Sequence, residues 1–158
     1  MTHQPLAIGL DLGTSCGYAV LEGAKHVASG QWKLMPRNAH PGERWLNFRV
    51  RLGELFQEYN PDYVAFELVR RHQGTRAAHV YGGLLAEIEV RDAMMTDVEF
   101  VGIGVGTWKK SSIGIGNATK TQYIQAMSKR YDLPLGKKDE DEAAALGIVT
   151  ALRKLKDL

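Results

Sequence analysis

Asp11 ends an apolar run, Leu6-Ala7-Ile8-Gly9-Leu10, and Glu67 ends a second, Tyr63-Val64-Ala65-Phe66. A carboxylate in an otherwise apolar strand is costly to desolvate unless it meets a positive group or a cation. A third acidic feature, Asp139-Glu140-Asp141-Glu142, opens the last helical segment. If neighbouring strands bring Asp11 and Glu67 to one edge of a sheet, a divalent ion with oxygen ligands, magnesium or manganese, relieves their repulsion. Two such ions can activate water and stabilise the leaving oxygen of a phosphodiester. Each acid also has a plainer use: Asp11 capping a turn, Glu67 paired with Arg70 or Arg71, and the acidic run favoured by a helix dipole. One shared cation site accounts for all three together.

The elements that must position these acids follow from periodicity. Leu6 to Leu12 reads as a buried strand, and Gly17 to Leu21 and His26 to Leu34 as two more strands around Glu22-Gly23, an antiparallel meander. Pro36 to Pro41 breaks the pattern, and Trp45, Phe48, Leu52, Leu55, Phe56 and Tyr59 then recur at helical spacing. Tyr63 to Glu67 predicts the central strand. Arg70 to Thr75 reads as a polar loop, Arg76 to Met94 as a helix, and Val98 to Val105 as a strand. Gly114 to Thr119 is a Gly-rich segment opening a helix from Lys120 to Tyr131, and Asp139 to Leu155 is a last helix. Strands followed by alternating helices and strands imply an α/β fold, a mixed sheet with helices on its faces.

The length, 158 residues, suits one domain over residues 1–158. The apolar and charged fractions, 44% and 24%, exclude a disordered or fibrous chain. Apolar stretches fall far short of the ~20 residues that cross a bilayer, and no basic-then-apolar leader opens the chain, so no membrane association is expected. The single cysteine, Cys16, has no partner for a disulfide or zinc site and reads as a packing residue in a reducing, cytoplasmic setting. The net charge of +2 is unevenly placed: from Thr107 onward ten Lys/Arg face six Asp/Glu, against ten and twelve before it. Basic groups beside an acidic centre suit an enzyme acting on a polyanion through metal ions. His3, His26, His40, His72 and His79 lack metal-ligand spacing, and Trp45, Phe48, Phe56 and Tyr59 read as core.

Four stretches together resemble the C-terminal half of RuvC-type Holliday-junction resolvases. They are Trp108-Lys109-Lys110, Gly114-Ile115-Gly116-Asn117-Ala118-Thr119-Lys120-Thr121-Gln122, Leu133-Pro134, and Asp141-Glu142-Ala143-Ala144-Ala145-Leu146-Gly147-Ile148. Ile8-Gly9-Leu10-Asp11 and Phe66-Glu67 fall where that family has its first two catalytic acids. The resemblance implies a ribonuclease H-like fold, a homodimer, and magnesium-dependent nicking of opposed strands at a four-way DNA junction. It implies that Asp11 and Glu67 bind metal and that Lys109 and Lys120 contact or polarise the backbone near the scissile phosphate. The family has two further acids three residues apart; matching the apolar tail Ala145 to Ile148 puts the first at Asp141 and the second at Ala144. Matching Asp139 and Glu142 instead keeps two acids but spoils the tail.

Two departures stand out. Ala144 carries no carboxylate: either Glu142 or Glu140 substitutes as a ligand, or an Asp has been replaced deliberately to disable cleavage. After Glu67, where cellular resolvases place an aromatic that stacks on exposed bases, this chain has Arg70, Arg71, His72 and Arg76, which suit phosphate contacts or groove reading and look more like the viral branch. A mobile solvated loop is the plainer reading. Asp11-Leu12-Gly13-Thr14-Ser15 also resembles the phosphate turn of sugar kinases and actin-like ATPases, which need two such domains.

The expectation is therefore a crossover-junction endodeoxyribonuclease of DNA recombination and repair, acting on branched DNA in the cytoplasm of a bacterial or virus-infected cell. Asp11, Glu67, Asp141, Ala144 and Lys120 are its catalytic positions, and Asp11, Glu67, Asp141 and Glu142 its ligands for magnesium, with manganese able to substitute. Arg70, Arg71, Arg76, Lys109, Lys110 and Lys120 are the DNA contacts. The alternatives are a catalytically silent junction- or single-strand-binding module, and a ribonuclease H-like nuclease acting on RNA or a hybrid. The helix Arg76 to Met94, with Tyr81, Gly82, Gly83 and Leu84, is the expected dimer surface, although those residues could equally pack on the sheet.

Overall fold

The computed structural model describes residues 2–34 and 40–158, so most of the Pro36 to Pro41 break lies outside the described residues. Three strands, β1 (Leu6–Asp11), β2 (Ser15–Glu22) and β3 (Lys25–Lys33), form the expected antiparallel meander. Helix α1 (Glu43–Tyr59) leads to β4 (Tyr63–Leu68), helix α2 (Thr75–Met94) and β5 (Glu99–Gly104). Helices α3 (Val105–Ile113), α4 (Lys120–Tyr131) and α5 (Glu140–Leu155) complete the chain, with a 3-10 turn over Lys137–Asp139 before the last. The strand order is β3-β2-β1-β4-β5, with β4 parallel to both β1 and β5. This is the mixed sheet with helices on both faces that the sequence implied.

Two details differ from the sequence reading. The central strand is β1, and β4 lies beside it. Helix α3 lies where only a connection between strand and Gly-rich segment had been expected. It is nine residues long, is flanked by Gly104 and Gly114, and buries Trp108 and Ser112. So short a helix is marginal alone, and burial of its one large side chain holds it in place.

Period-two alternation divides the core. Ile8 and Leu10 of β1 and Val64 and Phe66 of β4 face α1 and α2, packing on Phe48, Leu52, Leu84 and Ile88. Ala7 and Ala65 face the other way, toward α5 and its neighbours Trp108, Tyr123 and Met127. Small residues on this second face let α5 lie close to the sheet, and Ala143 through Leu152 are all buried. The expected dimer surface on α2 is largely interior. Tyr81 and Leu84 are buried, and Gly83 meets the Trp45 ring of α1, leaving Gly82 open.

Candidate active site

Asp11 and Glu67 stand at the C-terminal ends of adjacent parallel strands, one step beyond the pair Leu10 and Phe66. Because Leu10 and Phe66 point into the α1/α2 core, alternation sends both acids to the opposite face, under α5. There they line a cleft of about 220 Å³ with Trp108, Lys109, Lys120, Tyr123, Glu140, Asp141 and Ala144.

Asp141 is placed by a close backbone approach. Gly17 of β2 pairs directly with Asp11, and a Cβ at Gly17 would run into the backbone carbonyl of Asp141. Only glycine lets the first turn of α5 rest here. The Gln31 side chain of β3 fixes the same turn, its Oε1 accepting from the Asp141 and Glu142 amides at 3.0 and 3.1 Å and its Nε2 donating to the Lys138 carbonyl at 3.0 Å. These are unpaired donors of a helix N-terminus, so a tertiary contact supplies the cap that Asp139 does not.

Glu67 is oriented from α3. Trp108, 1% exposed, donates its Nε1 hydrogen to Glu67 Oε2 at 2.6 Å. The indole lies against Gly147 of α5, where a Cβ would strike the ring, and its edge meets Tyr123 of α4 with centroids 5.4 Å apart. Lys109 reaches over both rings, 5.7 Å from Trp108 and 5.4 Å from Tyr123.

Lys120 begins α4, held by a capping box in which Thr119 Oγ1 accepts from the Gln122 amide at 3.2 Å and Gln122 Oε1 from the Thr119 amide at 2.9 Å. The Thr119 and Gln122 of the Gly-rich motif are therefore structural, and Ala118 beside them is buried. Lys120 Nζ meets Glu140 Oε2 at 2.9 Å.

The electrostatics are those of crowded acids. Burial, and then the charges of Glu67 and Asp141, push the Asp11 carboxyl well above its ordinary value. Burial also raises Glu67, opposed by the Trp108 hydrogen bond and the Lys109 charge. The bond and charge of Glu140 hold the Lys120 proton more tightly. Burial and the surrounding carboxylates raise Tyr123.

An all-oxygen donor set suits a hard divalent cation rather than a soft metal. The fit rests on that chemistry and the shared cleft: among the described residues, no three His, Cys, Asp or Glu side chains converge as a ready-made cage.

The acidic run divides by direction. Asp141 and Glu140 enter the cleft, as does the bare Cβ of Ala144, 4% exposed. Glu142, expected as a metal ligand, turns the other way and accepts from Ser29 Oγ of β3 at 2.6 Å, a hydroxyl that also bonds His26. A helix turns about 100° per residue, and the step beyond Asp141 carries Glu142 out of the cleft and onto β3. Asp139 Oδ2 accepts the Gly136 amide at 2.8 Å and is spent on the preceding turn. Glu67 pairs with neither Arg70 nor Arg71, and both are exposed with Arg76 and Lys110 outside the cleft. Trp108, Gln31 and Tyr123 had been given no role from sequence. A Trp preceding a lysine pair carried a signal for Trp108; nothing local marked Gln31.

No family model matches the chain. A Chlamydia trachomatis protein described as crossover junction endodeoxyribonuclease RuvC is 28% identical, aligned over 90% of this chain and 88% of that protein. Among solved structures, Thermus thermophilus RuvC in complex with a Holliday junction superposes with a TM-score of 0.82 at 22% identity, covering 96% of this chain and 94% of that one. The fowlpox virus resolvase bound to a Holliday junction gives 0.58 at 14% identity, covering 97% and 99%. These neighbours establish the ribonuclease H-like fold. A Corynebacterium glutamicum RuvC is 30% identical, with 94% of this chain aligned to 69% of that protein, and on this relationship the chain belongs to the RuvC family of crossover junction endodeoxyribonucleases.

Proposed function

We propose that residues 1–158 form one nuclease domain that resolves four-way and other branched DNA junctions by metal-dependent phosphodiester hydrolysis. The observation that carries this is the meeting of Asp11, Glu67, Glu140 and Asp141 in one cleft with Lys109 and Lys120 at its rim. Asp11, Glu67 and Asp141 would hold magnesium, for which manganese can substitute, and Trp108 keeps Glu67 turned toward the cleft. The bound ions would supply charge to a phosphate and a more acidic water. Lys120, freed from Glu140 by a phosphate, would neutralise the backbone, with Lys109 beside it. Arg70, Arg71, Arg76 and Lys110 extend the positive surface along the strand. Such a protein works where DNA is handled, in the cytoplasm of a bacterial or virus-infected cell; among the described residues no helix is long and apolar enough to cross a membrane.

Opposed nicks at a two-fold symmetric junction are most simply made by a two-fold symmetric dimer. The outer faces of α1 and α2 support one, exposing Leu46, Val50, Val90 and Met94 at 55%, 52%, 52% and 76%. Sedimentation should show a dimer at micromolar concentration; a 17.5 kDa monomer both free and on DNA would count against it. Kinship with the viral branch rests on the arginine-rich loop alone, since the backbone matches the Thermus protein more closely than the fowlpox one.

A second reading, a silent junction-binding module, is favoured by Ala144, whose methyl group lines the cleft where the family pattern has an acid. One assay separates the two. Four-way junction, duplex, hybrid and single strand are offered with and without magnesium. Junction-selective cutting is expected; tight junction binding without cutting favours the module, and equal affinity for linear duplex overturns both.

A further inference from the structure

Tyr123 lines the carboxylate cleft, and the hydrolytic chemistry described above makes no use of it. It stands on α4 three residues after Lys120, so phenol and ammonium project from one face of the helix into one space. Its ring is fully engaged. The residue is 7% exposed, its edge meets the Trp108 indole with centroids 5.4 Å apart and planes at 70°, and the Lys109 ammonium lies 5.4 Å from its centre. Burial, and then the negative charges of Asp11, Glu140, Asp141 and Glu67, bear on its hydroxyl, with no hydrogen bond from the protein among them.

Packing alone does not ask for that hydroxyl. A phenylalanine ring would meet Trp108 and Lys109 in the same way, and an unpaired hydroxyl in a largely buried site is costly. A tyrosine O–H in such a place usually has an acceptor. The carboxylates around it also disfavour a phenolate, so at neutral pH Tyr123 is neither a base nor an anionic ligand. Donation is the role left to it. The other neutral donor of the cleft, the Trp108 indole, is already spent on Glu67. The phenol feels all four carboxylates yet bonds none of them, so its acceptor is one that arrives with the substrate.

We propose that the Tyr123 hydroxyl donates a hydrogen bond to one non-bridging oxygen of the DNA phosphate that enters the cleft. This rests on the nuclease reading above and adds a catalytic residue to it. The phosphate brings acceptor oxygens to the face of α4 that carries Lys120, and its charge is what draws Lys120 away from Glu140. A neutral donor gives this site a direction. An ammonium on a flexible stem attracts a phosphate without choosing among its oxygens, whereas a phenol whose ring is wedged against Trp108 fixes which oxygen faces α4.

The test reads orientation rather than rate. Four-way junctions carrying one methylphosphonate, as separated epimers at phosphorus and at each linkage flanking the exchange point in turn, are titrated against native protein and Tyr123→Phe. Calcium is present throughout, an ion that takes the same oxygen ligands. Each epimer lacks one non-bridging oxygen and keeps the other. At one linkage the epimer without the bonded oxygen should bind native protein about three- to tenfold more weakly than its partner, the scale of one hydrogen bond. Tyr123→Phe keeps the ring, so it should melt with native protein, and the difference between epimers should close. If that difference survives in Tyr123→Phe, or appears at no linkage in native protein, the hydroxyl touches no phosphate. A lower melting temperature for Tyr123→Phe would show that the hydroxyl is bonded within the protein, which also overturns the proposal. Failure of native protein to prefer junction over duplex would instead remove the nuclease reading and the contact with it.

Discussion

The Nε1 hydrogen of Trp108 is donated to Glu67 Oε2 at 2.6 Å, tying a buried ring on α3 to the acid at the end of β4. Removing the hydrogen while keeping an aromatic ring tests what that tie does. Trp108→Phe should leave junction binding nearly intact and lower metal affinity or single-turnover cleavage by about 10–100-fold, the usual effect of losing a group that orients a ligand. Metal titration beside cleavage rates checks it; an unchanged rate and affinity would show that Glu67 is held well enough without the indole.

Gly17 should tolerate no side chain. A Cβ there meets the Asp141 backbone, which has no flexible end to swing away. Gly17→Ala is expected to cost about 1–3 kcal/mol, and about 2–4 °C of melting temperature for each kcal/mol in a domain of this size. Gly82, with open space around it in α2, is the control. Gly82→Ala should hold or raise stability by about 0.5–1 kcal/mol, because alanine is the better helix former. Thermal melts of both variants decide.

The carboxylates impose a pH dependence whose sign follows from Asp11. Its folded-state pKa is raised, so the folded protein binds more protons than the unfolded chain and stability falls as pH rises. Below the ordinary aspartate value of about 3.9 both states are protonated and the cost vanishes. Without divalent ions, Asp11→Asn should therefore melt higher than native protein at pH 7, by at least about 2–4 °C, and the difference should close toward pH 4. Added magnesium should stabilise the native protein and leave the variant nearly unmoved. A variant that melts lower at every pH would mean that the acid is not repelled by its neighbours.

Ala144 and Glu140 can be tested together. A carboxylate introduced by Ala144→Asp lies three residues from Asp141, on the same helix face and in the cleft. Magnesium-dependent junction cleavage should rise by at least about a hundredfold, the scale of one added preorganised electrostatic group. Glu142→Gln should change little, since that side chain is bonded to Ser29. Glu140→Gln should lower any residual cleavage of the chain as it stands, because Glu140 is the fourth carboxylate present. If Glu142→Gln alone abolishes cutting, the direction of that side chain is wrong.

The basic loop makes a prediction about salt. With about six phosphates neutralised, log affinity should fall against log salt with a slope of about −5. Arg71→Ala or Lys110→Ala should each reduce that slope by about one unit. An unchanged slope in the triple change of Arg70, Arg71 and Arg76 to Ala would remove the loop from the DNA.

Much of the arrangement was legible in the chain because its signals are local. Apolar runs ending in Asp11 and Glu67 marked strands with acids at their tips, and alternation along β1 and β4 sends both to one face. The Gly-rich segment marked the start of α4 at Lys120, while the capping box of Thr119 and Gln122 is seen only in the structure. Helix α3 was illegible for the converse reason: between its glycines lies a polar segment whose stability comes from Trp108 meeting α5 and α4. Which acids of the run Asp139-Glu140-Asp141-Glu142 face the cleft was also beyond the sequence. All four are of one chemical kind, and one step along a helix turns a side chain by about 100°. The choice is made where α5 crosses β2, at Gly17, and by the grip of Gln31 on its first turn. Both contacts join residues far apart in the chain, so they exist only once the sheet has formed and α5 has docked on it.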